Sequence, residues 1–71
     1  MARNNLKSTL EKEGIRQSEL ARKSGVGSGT VNRACNQRRT PTATIRNKLV
    51  KSLNELAGKE YGHDDIFPSR A

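Results

Sequence analysis

The chain has 71 residues, of which 14 are Lys or Arg and 7 are Asp or Glu, and only 31% are apolar and 3% aromatic. That length allows one small domain with a core near the lower limit of self-sufficiency. The lone Cys35 excludes an internal disulfide and fits a reducing cytoplasm, and no apolar run has the pattern of a signal peptide or a membrane span. With so little to bury, disorder in the absence of a partner is the alternative. Against it, the apolar residues recur at helical spacing rather than being scattered.

In chain order, the spacing predicts four helices and a short tail element. Residues 3–12 form the first helix, with Leu6 and Leu10 on one face, and Gly14 ends it. Ile15 points into the core. A second helix runs from Gln17 to about Ser24, with Leu20, Ala21 and Ser24 on one face. Gly25 supplies the positive φ of a sharp turn. A third helix runs from about Ser28 to Asn36 and turns Val31 and Ala34 inward, while Asn36 takes the left-handed conformation that closes it. Cys35 is expected to be half-buried. Gln37 to Thr40 is a basic loop, Pro41 disfavours helix at Thr40, and Thr42 caps a fourth helix over Ala43–Ala57 that buries Ile45, Leu49, Leu53 and Leu56. Gly58 stops it. The tail leaves room for one turn around Asp64 to Phe67, with Ile66 and Phe67 folding back onto the core or meeting a second subunit. Residues 1–57 are thus read as the domain and 58–71 as its tail.

Gln17 to Asn36, QSELARKSGVGSGTVNRACN, has the layout of a helix-turn-helix. Two short helices cannot bury their apolar faces alone, so they must cross, and Ala21 permits close approach. Any helical hairpin with a glycine turn would share part of this spacing. Charge narrows the choice. From Leu20 to Asn54 there is no acidic residue, while Arg22, Lys23, Arg33, Arg38, Arg39, Arg46, Lys48 and Lys51 are basic. A chain needing charge only for solubility would mix the signs, whereas this one concentrates positive charge on one segment, as a polyanion binder does. No stretch has the apolar, aromatic-bearing face of a helix that lies on a membrane.

Gly14 through Leu53 resembles the Cro and lambda-repressor family of helix-turn-helix DNA-binding domains (the XRE type). The likeness is carried by G-I-x-Q-x-E-L-A-x-x-x-G-V-x-x-x-T-V, Gly14 to Val31, and by N-x-x-R-x-P, Asn36 to Pro41. The DDIF segment is similar to the family's short last helix. A more distant similarity is to the lactose-repressor headpiece, but a helix precedes the motif here, which favours the former. The resemblance implies an all-α bundle of four to five helices, a homodimer on a near-palindromic operator of double-stranded DNA, and transcriptional regulation as a repressor or Cro-like switch.

It also implies roles for residues. The third helix would lie in the major groove with Ser28, Gly29, Asn32 and Arg33 nearest the base edges. Arg33 can pair with guanine through two bonds, Asn32 with adenine, and Ser28 with most bases, each two-bond pair being worth about 1–3 kcal/mol of discrimination. Gly29 reads nothing directly but allows close approach. Gln17 matches a residue that contacts phosphate and braces the reading residue. Arg16, Lys23, Asn36, Arg38, Arg39 and Thr40 would bind the phosphate backbone.

Three departures from the pattern carry consequences. Arg16 stands where Ser or Thr usually caps the second helix, losing about 1 kcal/mol. Gln37 stands in place of a glycine, which leaves the turn to Asn36. Gly27 and Gly29 thin the third helix, a glycine inside a helix costing about 1 kcal/mol, so this helix is expected to tighten on DNA. No metal or cofactor is expected, since His63 and Cys35 are the only residues of their kinds and no phosphate-binding loop is present. His63 is expected at the surface, or capping, near Asp64. No nucleophile has an evident base, so no enzyme is expected, and neither is a small-molecule ligand or a membrane partner. Two alternatives remain: an antitoxin-type interaction module with secondary DNA binding, and a nonspecific nucleic-acid binder. The lack of aromatic residues in the basic segment argues against single-stranded RNA.

Overall fold

Apolar residues three and four apart along each segment can be buried only if the segments pack as helices against one another. In the computed structural model, which describes residues 4–36 and 41–68, they do so in five helices: α1 (Leu6–Glu13), α2 (Gln17–Ser24), α3 (Ser28–Cys35), α4 (Ala43–Ala57) and α5 (His63–Ile66). No strand occurs among the described residues. α2 packs on both α3 and α4, α1 on α3, and α5 on α4. One core results, in which Leu6, Leu20, Val31, Leu49, Leu53 and Ile66 are wholly excluded from solvent. Burying such a side chain is worth about 1.5–3 kcal/mol, which makes these six a large part of the stabilising core.

Each helix ends for a local reason. Gly14, Gly25 and Gly58 take φ of 69°, 75° and 67° and close α1, α2 and α4 in the left-handed conformation. Thr42 caps α4, its side chain accepting from the Ile45 N–H. At α2 the Arg16 side chain makes no capping bond, but the Glu19 carboxylate accepts from the Arg16 N–H at 3.0 Å. One half of the usual reciprocal cap is therefore retained.

Four expectations need correction. α1 begins at Leu6 rather than residue 3, because the Asn4 side chain turns back to accept the Leu6 N–H at 3.0 Å while its Nδ2 donates to the Ala34 carbonyl, also at 3.0 Å. Asn36 lies at φ −88° and ψ 9°, close to helical and not left-handed. Cys35 is fully buried rather than half-buried, and burial pushes its thiol up to about 11. Leu56 is 38% exposed. It has the angular position of Leu49 and Leu53, but one turn further on α4 it lines an open surface groove with Glu19, Arg22 and Lys23 of α2.

The segment after α4 folds back. Ile66 and Phe67 are buried in the same core as Leu49 and Leu53, so they are not an exposed surface for self-association. Asn54 holds the returning chain, accepting from the Tyr61 N–H at 2.8 Å and donating to the Tyr61 carbonyl at 3.0 Å. Glu13, at the end of α1, accepts from Lys59 at 2.8 Å and from the Tyr61 hydroxyl. Asn5 completes the closure: its N–H donates to the Ile66 carbonyl at 2.7 Å and its side chain to the Asp65 carbonyl at 3.0 Å. The His63 ring packs beside Phe67, its Nδ1 lying 3.8 Å from the Asp64 carboxylate.

Candidate nucleic-acid interface

At 3.6 residues per turn, burying Val31, Ala34 and Cys35 turns Gly29, Asn32, Arg33 and Asn36 away from the core. Ser28, on the flank beside Cys35, is left open because it is the first residue of α3. All five are exposed. The sequence thus sorts α3 into an apolar face and a face of polar and cationic groups, and packing against α1 and α2 holds the second face outward.

The groups on this face are bonded to one another. Asn32 Nδ2 donates to Gln17 Oε1 at 3.2 Å, and Asn36 Nδ2 donates to Asn32 Oδ1 at 3.1 Å. A chain of three amides therefore runs from the start of α2 to the end of α3. Arg33 lies back along its own helix, with Nη2 3.4 Å from Thr30 Oγ1. A Cβ placed on Gly29 would stand 3.5 Å from Arg33 Nη1, so the glycine leaves room for this pose. Arg16 is exposed at the head of α2, next to Gln17.

The helix-turn-helix family model matches residues 6–57, well over half of the chain. The chain belongs to that family. As a helix-turn-helix domain of the Cro and lambda-repressor type it is a DNA-binding regulator, and its all-helical fold agrees with that membership. No curated protein matches the chain.

Within this domain the residues singled out from the sequence do not all come together. Ser28, Gly29, Asn32, Arg33, Asn36, Gln17 and Arg16 share the surface made by α3 and the head of α2. Lys23 is turned to α4, where its ammonium lies 3.9 Å from Glu55 Oε1, and Lys48 and Lys51 flank the same groove. Both partners of that pair are half exposed, so it adds little stability. Arg38, Arg39 and Thr40 lie outside the described residues. Arg46 reaches back to the Pro41 carbonyl and so braces the start of α4.

Two supporting residues escaped the sequence reading. Asn4 bonds to the Ala34 carbonyl and anchors the end of α3 to the head of α1. Thr30 holds the Arg33 guanidinium, and only its three-residue offset from Arg33 could have hinted at it. Among the described residues no cluster of His, Cys, Asp or Glu could hold a metal, and no helix is long and apolar enough to cross a membrane.

Proposed function

We propose that this helix-turn-helix domain is a sequence-specific repressor or Cro-like switch that lays α3 in the major groove of double-stranded DNA, acting as a homodimer on a near-palindromic operator. The observation that carries the reading is the outward face of α3, where Ser28, Asn32 and Arg33 stand exposed on a helix whose opposite side is locked in the core. An α-helix fits the major groove, and these three side chains have the donors and acceptors that base edges require. Gln17, Arg16, Asn36, Arg38, Arg39 and Thr40 would position the domain on phosphates, and the absence of acidic residues from Leu20 to Asn54 limits repulsion on that approach. Lys23 would join them only on leaving Glu55. Occluding a promoter needs binding alone, which is why repression is the activity proposed. Such a regulator works in the cytoplasm, on the nucleoid, and calls for no catalysis.

A titration of random and selected duplexes tests this. With about six phosphates contacted, log K falls with log salt at a slope of about −5. Arg33→Ala relaxes sequence preference, while Arg38→Ala weakens all duplexes alike. Equal affinity for every duplex would overturn sequence-specific regulation in favour of nonspecific binding. A co-purifying protein partner that competes with DNA would favour the antitoxin-type module.

A further inference from the structure

We propose that Asn36 is a positioning residue which, together with Gln17, sets the direction in which the Asn32 amide faces DNA and so decides the base that Asn32 prefers. The proposal rests on the placement of α3 in the major groove. A carboxamide carries two N–H donors and two acceptor lone pairs. Asn32 spends one donor on Gln17 Oε1, at 3.2 Å, and one lone pair on Asn36 Nδ2, at 3.1 Å. One N–H and one lone pair are left for a base edge. That is the pair of groups that can match adenine at N7 and N6.

The order of donor and acceptor along the groove is then a property of three residues. Turning Asn32 over by itself would set N–H against N–H at Asn36 and oxygen against oxygen at Gln17. Losing either bond costs free energy, and both are kept only if all three amides reverse together. The backbone makes this possible. Asn36 stays near the helical region, at φ −88° and ψ 9°, so its side chain remains one turn beyond Asn32 on the same face. A left-handed residue at that place would carry the side chain out of reach. A residue that served only to bind phosphate would have no need of the bond to Asn32.

The experiment selects duplexes from a randomised pool with the unaltered protein and titrates each variant against the selected site and its single-base changes. Gln17→Glu and Asn36→Asp each add one negative charge to the same face, so both weaken every duplex. A carboxylate only accepts. At position 17 it keeps the existing direction of Asn32, whereas at position 36 it can bond to Asn32 only if that amide turns over. Gln17→Glu is expected to retain the base preference at the position Asn32 reads, and Asn36→Asp to change it by roughly tenfold. Asn36→Ala should lower the preference several-fold with the melting temperature unaltered, since the side chain is exposed. If Asn36→Ala and Asn36→Asp weaken all duplexes by one factor and leave the preference intact, Asn36 is a phosphate anchor and the proposal is overturned. If Asn32→Ala itself leaves the preference unchanged, the base-reading role of Asn32 fails and this inference fails with it.

Discussion

α3 and α4 solve opposite problems with neighbouring stretches of the same chain. α4 has 15 residues, a Thr42 side-chain cap, a left-handed glycine stop, and Leu49, Val50 and Leu53 in the core. α3 has eight residues, a Gly27 cap with no side-chain bond, and a second glycine inside its first turn. Of its eight residues only Val31, Ala34 and Cys35 are buried. The long helix supplies stability, and the short one is held in shape by what it leans on. A surface that must meet DNA cannot also be spent on the core, so the stability of α3 has to come from elsewhere.

The largest test of that division is Leu53→Ala. Truncating a fully buried leucine costs about 2–5 kcal/mol, a large part of the stability of a domain this small. Urea denaturation should show the loss, and binding should fail only where unfolding is populated. A binding defect in variant protein that is still fully folded would mean that α4 does more than support.

Gly29→Ala tests the other helix. The added methyl meets Arg33 Nη1 at 3.5 Å, an ordinary contact, and the exchange removes a helix penalty of about 1 kcal/mol. Stability should rise by up to about that amount, and amide exchange in α3, expected to be faster than in α4 in the unaltered protein, should slow toward it. Exchange equally slow in both helices before the substitution would break the contrast between them.

The smallest effect lies in acid. The Lys59 hydrogen bond, then that of the Tyr61 hydroxyl, hold the Glu13 carboxyl below its ordinary value. A depressed carboxyl stabilises the fold above its unfolded pKa, and that contribution is lost as pH falls through the folded value. Melting temperature should therefore decline on acidification below the usual carboxylate range. Glu13→Gln should lack that part of the decline, and an unchanged profile in the variant would remove Glu13 as its cause.

Local chemistry explains which parts of this molecule were legible from sequence. The bounds of α2 and α4, the Gly25 turn, the Thr42 cap and the inward residues Leu20, Val31 and Ala34 follow from spacing, glycine and capping rules acting within a few residues. The Glu13–Lys59–Tyr61 cluster and the bonds from Asn5 to α5 join residues 46 to 61 positions apart, where periodicity carries no information. Leu56 shows the limit within a single helix. Its angle was right, but angle does not say whether a neighbour stands at that height. Asn36 shows a limit of a different kind, because a residue able to turn left-handed need not do so. On the outward face of α3 the residue types were legible, and the family resemblance implied a bracing role for Gln17. The choice of Asn32 as its partner and the extension of the chain to Asn36 were not legible.

The two hydrogen bonds from Asn5 to the carbonyls of Asp65 and Ile66 also bear on the order in which the domain closes. A four-residue helix has no stability in isolation, so α5 can form only on a surface already assembled from α1 and α4. With α1 and α4 in place, only the short connection from Gly58 to Gly62 and α5 itself are left to order, at a cost in chain entropy. That cost is recovered only when Ile66 and Phe67 enter the core. α5 is therefore expected to dock last and to open first. The His63 ring beside Phe67 is placed to report it, as a proton resonance that moves before the rest of the domain opens.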